Sequence, residues 1–327
     1  QGRPDSFGCW SGCATVDAGV PTAVYSGVRD GSGASEVVLA RSDSTWREWT
    51  QDEEPVVPMP EIPGVTAVRD PFLFNFDGHR WAVQGAGDPD DKPCILLWQC
   101  DDLGDWQYRG VFADSSDPVL AEVADANIWE CPNLIQYNTR WALFVSVWRW
   151  ADGTHQLVGV RWILGDVSPD ENGGLRFTGE TGGVLDEGPA FYAPQLLDDR
   201  DDPDEPRVLM WGWAWELDRT DEQLEQQGWS GVLTSPREVG LSYDQIVVRP
   251  VPGLNALRGE TFGGAVPFRE QSFEILAREG GSLLLHDDTT MAVASWPPGS
   301  RILVDGSLVE VFTPAGGCLT TRAYPGE

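Results

Sequence analysis

Apolar residues along this chain mostly alternate with polar ones or gather in short runs. Signals for helix are scarce. Trp, Val, Tyr and Phe are frequent, and turns rich in Gly, Asp, Asn and Pro recur throughout, so the pattern predicts an all-β chain. Aligned against itself, the chain repeats one unit: a short polar signature, an apolar strand, a turn, and a strand rich in Trp and Val that ends in small residues. The copies are "WSGCATVDAGVPTAVYSGV" from Trp10, "RDPFLFNFDGHRWAVQGAG" from Arg69, "ECPNLIQYNTRWALFVSVW" from Glu130 and "APQLLDDRDDPDEPRVLMWGW" from Ala193, starting about sixty residues apart. Segments such as "CILLWQCDDLGDWQYRGVF" and "LVGVRWILGDV" supply two more strands per period. Four strands per period is the blade of a β-propeller, whose innermost strands point to one central channel.

The signatures Trp10-Ser11-Gly12, Arg69-Asp70-Pro71 and Glu130-Cys131-Pro132 then each open an innermost strand and converge at one channel mouth. The plain structural alternative is that they are turn residues, with Pro placed where no ladder donor is missed. An acid and an Arg-Asp pair at equivalent places of adjacent blades favour function. After about residue 255 the period stops, and short alternating strands follow, as in a small β-sandwich. The division expected is 1–258 for the propeller and 259–327 for the C-terminal module.

Charge narrows the partners. The 327 residues carry 52 acidic against 22 basic side chains, a net charge of -30, which excludes nucleic acid and anionic membrane surfaces as partners. Lys92 is the single lysine. Acid excess with almost no lysine fits solubility in high salt, while a GC-rich genome would also exchange Lys for Arg. Acidic runs such as Asp198-Asp199-Arg200-Asp201-Asp202 read as solvated loops. Six cysteines with no C-x-x-C pair, and three scattered histidines, point to no metal and no cofactor. There is no apolar stretch near 18 residues and no signal-peptide pattern, so a soluble and cytoplasmic rather than secreted chain is expected. The sequence begins at Gln1 without a methionine, which suggests that something upstream was removed.

In "ANIWECPNLIQ", residues 126–136, an acid sits in a run that otherwise reads as a buried strand. Carboxylates are rarely buried without a partner or a task. Burial against Trp129 and Cys131 would raise the pKa of Glu130, whereas Arg69 would keep Asp70 ionised. Cys131 reads as a small buried neighbour, since no histidine lies nearby in sequence to activate it.

These motifs resemble glycoside hydrolase family 32, the invertases, fructan hydrolases and related β-fructosidases. They run in family order: Trp10-Ser11-Gly12, Arg69-Asp70-Pro71, Trp129-Glu130-Cys131-Pro132, "DEGPAFYAPQ" from Asp186 to Gln195, Trp211-Gly212-Trp213, Pro236-Arg237-Glu238, and "RILVDGSLVEVF". The resemblance implies a five-bladed propeller followed by a β-sandwich, and retaining hydrolysis at a fructosyl C2 in sucrose or fructo-oligosaccharides. It implies Glu130 as acid/base and Asp70 as transition-state stabiliser, with Arg69 beside it. Trp10, Ser11, Asp186, Tyr192 and Trp213 are implied in the sugar pocket; Ala190 stands where an acidic residue is usual.

The family's Trp-x-Asn-Asp-Pro-Asn-Gly stretch, which carries the nucleophilic aspartate, does not occur in this sequence. Neither Asp5 nor Asp17 has its neighbours, and both read as turn residues. A first blade missing from the chain, a homo-oligomer or a complementing N-terminal segment is the expectation that follows. The opposing functional class is a catalytically inactive fructoside-binding or structural propeller.

Overall fold

A computed structural model describes residues 3–31, 34–87, 92–217, 219–261, 272–285 and 291–324. The chain divides into two compact units, Gln1–Gly183 and Val184–Glu327. Among the described residues, no helix is long and apolar enough to cross a membrane.

The first unit is a succession of antiparallel meanders. Strands β1 (Gly8–Asp17), β2 (Val20–Val28), β3 (Glu36–Ser42) and β4 (Trp49–Gln51) pair in chain order. Next come β5 (Ala67–Phe76), β6 (His79–Gly87), β7 (Cys94–Asp102) and β8 (Asp105–Asp114), and, after a short helix α1 (Pro118–Val123), β9 (Ile128–Tyr137), β10 (Arg140–Ala151), β11 (Thr154–Pro169) and β12 (Leu175–Val184). The second and third meanders join edge to edge where Gly87 pairs with Ile128. Tight hairpins connect the strands: Ala18-Gly19, Asp77-Gly78 and Asp152-Gly153 all have positive φ at both residues, the conformation that suits the strand twist in two-residue turns.

The first strands of the repeat, β1, β5 and β9, each begin two residues before the signature read from the sequence, at Trp10, Arg69 and Glu130. The small residues that end β6 have a physical cause. A Cβ on Gly85 would lie 2.1 Å from the Trp129 carbonyl oxygen, so β9 approaches β6 more closely than any side chain would permit. The core between the first two meanders comprises Val24, Val37, Leu39, Ala82, Trp98, Cys100 and Leu103, all buried, where each large side chain contributes about 1.5–3 kcal/mol.

The second unit holds β13 (Phe191–Asp199), β14 (Arg207–Ala214), a helix α2 (Asp221–Gln227), β15 (Val232–Leu233), β16 (Arg237–Ser242) and β17 (Gln245–Pro250), with β13, β14, β16 and β17 side by side and β15 on β14. Strand β13 also starts two residues before its signature, at Ala193. The short strands expected after residue 255 are β18 (Ser272–Leu276), β19 (Gly281–Leu285), β20 (Met291–Trp296), β21 (Arg301–Asp305), β22 (Leu308–Phe312) and β23 (Cys318–Arg322). They form a four-stranded sheet, β18-β21-β22-β23, and a hairpin, β19-β20. The 258/259 division falls inside this unit, beside residues 262–271, which lie outside the described residues.

Candidate active site

Each polar signature of the first unit is a β-bulge. On β1, Trp10 pairs with Ser26 and Gly12 with Tyr25, leaving Ser11 as the extra residue. On β5, Arg69 pairs with Gly85 and Phe72 with Val83, so Asp70 and Pro71 together face Gln84. On β9, Glu130 pairs with Ser146 and Asn133 with Phe144, so Cys131 and Pro132 together face Val145. The prolines leave no ladder donor unmatched there. The residues before them take the left-handed conformation, with φ 59° at Asp70 and 47° at Cys131, a strain of about 1–3 kcal/mol each. A bulge breaks the strict alternation of a strand and re-aims its side chains.

The bulges are tied to one another by hydrogen bonds. The Asp70 amide donates to Ser26 Oγ at 2.7 Å. The Cys131 amide donates to Asp70 Oδ2 at 2.9 Å, and the Cys131 thiol to the same oxygen at 3.3 Å. Ser11 hydrogen-bonds the Cys131 side chain. Arg69 Nη1 donates to Glu130 Oε1 at 3.0 Å, while its guanidinium carbon lies 4.5 Å from the centre of the Trp10 ring. Trp129 is held from behind, its indole N–H donating to the Ala124 carbonyl at 2.7 Å. Trp10, Ser11, Arg69, Asp70 and Glu130 are thus brought together, with both carboxyl groups buried and Trp10 and Ser11 partly exposed.

Electrostatics in this cluster correct one expectation. The pKa of Asp70 is pushed up to about 7, first by burial and then by the negative charge of Glu130. The charge of Arg69 and the hydrogen bonds from Cys131 act in the opposite direction without prevailing. Arg69 turns its Nη1 to Glu130, so it does not keep Asp70 ionised as its place in the sequence suggested. The Cys131 thiol is pushed well above its ordinary value, by burial and then by Asp70 and Glu130. It stays protonated and donates, as a neighbour rather than a nucleophile. Two interacting carboxyl groups on adjacent bulges, one of them titrating near neutrality, can hold and pass a proton beside an aromatic face.

In the second unit the residues singled out from the sequence separate. Asp186 is not a pocket residue: its side chain has no exposed surface. Its Oδ2 pairs with Arg237 Nη1 at 2.9 Å and accepts from the Thr320 hydroxyl at 2.6 Å, and its Oδ1 accepts from the amides of Gly188 and Thr320. Arg237, also wholly buried, pairs with Glu310 at 2.8 Å. Burial works against the charge of Arg237, yet Glu310, with Cys318 and Asp186, holds its pKa above the usual arginine value. Asp186 therefore anchors an internal ion-pair network. Tyr192 and Trp213 do meet, as cross-strand partners on β13 and β14; Tyr192 is buried and Trp213 is 37% exposed. The "YAP" signature repeats the bulge, with φ 47° at Ala193 and a register slip between Tyr192 and Gln195.

Sequence reasoning missed Ser26, Gln84 and Ser146, all buried. They lie on the second strands beside or opposite the three bulges of the first unit. Their signal is a lone polar residue near the end of an apolar strand, in "AVYSGV", "WAVQGAG" and "LFVSVW". Among the described residues, no group of three or more His, Cys, Asp or Glu could hold a metal ion.

Comparison with known proteins places this chain in a family. The family profile described as "Glycosyl hydrolases family 32 N-terminal domain" matches residues 1–250. The chain is 31% identical to a sucrose-6-phosphate hydrolase of Klebsiella pneumoniae, covering 98% of this chain and 74% of that protein. It is 28% identical to a raffinose invertase of Escherichia coli, covering 99% of this chain and 66% of that protein. In fold it is similar to a family 32 β-fructofuranosidase of Bombyx mori solved with sucrose, with a TM-score of 0.74 at 20% identity over 98% of this chain and 75% of that one. The sucrose-6-phosphate hydrolase of Lactobacillus gasseri also gives a TM-score of 0.74, at 21% identity over 98% and 74%. The chain belongs to glycosyl hydrolase family 32.

Proposed function

We propose that this chain is a β-fructofuranosidase-type glycoside hydrolase that releases terminal fructosyl units from sucrose or short fructans with retention. One observation carries the reading: Glu130 and Asp70 stand on adjacent bulges, joined through the Cys131 amide on Asp70 Oδ2 and bordered by Arg69 and Trp10. Glu130 gives its proton to the leaving oxygen while a carboxylate nucleophile, whose family stretch does not occur in residues 1–327, bonds the fructosyl C2. Glu130 later takes a proton from the water that displaces that carboxylate, and Asp70 holds hydroxyls of the fructosyl ring. With a pKa of about 7, Asp70 offers either a donor or an acceptor to those hydroxyls near neutrality. Trp10 presents an aromatic face to the C–H groups of the sugar. The names of the relatives, sucrose-6-phosphate hydrolase and raffinose invertase, support a fructoside as substrate. The four-stranded meanders are read as blades of a five-bladed propeller type over 1–258, with a β-sandwich-like module over 259–327.

A second reading, fructoside binding without turnover, is favoured by the absence of a Trp-x-Asn-Asp-Pro-Asn-Gly stretch from residues 1–327. Fructose release from sucrose and calorimetric binding of sucrose, by the chain and by Glu130→Gln, separate the two. Hydrolysis is expected to fall by roughly 10²–10⁴ in the variant, with binding retained. Hydrolysis that survives the substitution overturns the role of Glu130. Binding without hydrolysis in both proteins selects the second reading, and absence of both refutes both.

A further inference from the structure

Past Glu130, the sheet continues into a hairpin that the chemistry above does not use. Strands β10 and β11 run beyond the start of β9 to the Asp152-Gly153 turn, pairing Trp148 with Leu157 and Trp150 with His155. Ser146 lies opposite Glu130, and Trp148 opposite Ile128. Side chains alternate along a strand, so Ser146, Trp148 and Trp150 share the face from which Glu130 projects. The Trp148 ring stacks on Trp150 with centroids 6.1 Å apart and planes 26° apart, and on His155 at 6.0 Å and 4°. Trp150 nevertheless keeps 49% of its surface exposed.

The backbone beneath these rings is pinned. The Trp150 amide donates to Asn127 Oδ1 at 2.8 Å, and the Asn127 amide to the Trp148 carbonyl at 3.1 Å. Between the two indoles, and so on the opposite face, Arg149 bonds the Asp125 carbonyl and carboxylate at 2.8 and 2.7 Å. In the sheet, β9 lies between β10 and β6, and β5, which carries Asp70, is on the β6 side. The two indoles and Asp70 therefore flank the Glu130 strand from opposite sides. At about 3.4 Å per residue, Trp148 stands roughly 7 Å and Trp150 roughly 14 Å along the strand from the Glu130 row, the reach of about one and two sugar units.

We propose that Trp148 and Trp150 form a platform for the leaving group, so that the preferred substrates are fructosides whose leaving group contains at least two sugars. The inference rests on Glu130 as the acid. Its proton goes to the leaving oxygen, so the leaving sugars start at Glu130 and extend away from Asp70, over the stacked rings. Indole faces pack on the C–H faces of sugars, and a rack already ordered by stacking loses little freedom on binding.

The test compares raffinose, whose leaving group is a disaccharide, with sucrose, whose leaving group is one glucose, using the full chain, Trp150→Ala and Trp150→Phe. Trp150→Ala is expected to lower kcat/KM for raffinose roughly tenfold relative to sucrose, and Trp150→Phe to restore most of that ratio. An unchanged ratio in Trp150→Ala overturns the platform while leaving the hydrolase reading intact. If neither sugar is hydrolysed, that reading fails, and the platform is judged by the affinity ratio of raffinose to sucrose, read from tryptophan fluorescence. A ratio that falls in Trp150→Ala supports the platform, and a ratio that does not move refutes it.

Discussion

Asp70→Asn separates the two demands placed on one carboxyl group. In the folded chain Asp70 binds its proton more tightly than the ordinary 3.8, with a pKa of about 7. The stability linked to that proton is complete below pH 3.8 and is lost as the pH rises through about 7. Three pH units at about 1.36 kcal/mol each make the ionised form cost on the order of 4 kcal/mol, a ceiling because part of the rise comes from the nearby charge of Glu130. Asparagine has the same shape, keeps an oxygen for the Cys131 amide and cannot ionise. The variant is therefore expected to gain stability over the parent chain by about 2–4 kcal/mol between pH 4.5 and pH 8. Urea unfolding followed by tryptophan fluorescence across that range measures it. Taking the difference between the two proteins removes the titration of the other acidic residues. A difference that stays flat with pH would refute the buried, proton-holding Asp70. The same substitution should cut fructose release by at least roughly 10², so that stability and activity move in opposite directions.

Other substitutions test the frame around the site. Arg237→Met leaves Asp186 and Glu310 buried without their cation and should cost about 3–5 kcal/mol in urea unfolding, part of which Asp186→Asn and Glu310→Gln together should recover. Gly85→Ala places a methyl group 2.1 Å from the Trp129 carbonyl oxygen; it should cost about 1–3 kcal/mol and lower fructose release, because the strand it displaces carries Glu130. Ser26→Ala removes the acceptor of the Asp70 amide and should cost about 1–3 kcal/mol while shifting the pH profile of hydrolysis, which a purely structural hydroxyl would leave in place.

Much of this site was legible before the structure, because its residues recur at one place in a repeated unit. Trp10, Arg69 and Glu130 each stand on the first strand of a repeat, two residues after its start rather than at it, and Asp70 follows Arg69 on the same bulge. What the pattern does not contain is which way a side chain faces after a bulge. The neighbour of Asp70 in sequence, Arg69, spends its hydrogen bond on Glu130, sixty-one residues away, so the ionised Asp70 inferred from adjacency gives way to one that titrates at about 7. Asp186 fails for a related reason. Its motif fits a pocket, yet its partners Arg237 and Thr320 are 51 and 134 residues further on, and only the folded second unit shows that they enclose it. Ser26, Gln84 and Ser146 went unseen because a single polar residue in an apolar strand has no distinguishing neighbour until the bulge opposite it is known.

The bulges also explain why the pKa of Asp70 is raised. A left-handed residue before proline turns its amide out of the ladder, and a buried amide needs an acceptor. At Asp70 the acceptor is Ser26, from the meander that precedes it; at Cys131 it is Asp70, again from the preceding meander. The bulges of β5 and β9 are thus each satisfied by a side chain of the meander before them. Asp70 has both roles, strained residue in one bulge and acceptor for the next, and the second role draws its carboxyl group into the protein. The desolvation that lifts its pKa follows from that backbone requirement, and the negative charge of Glu130 adds to it because the same bulge that needs the acceptor carries Glu130 one residue earlier.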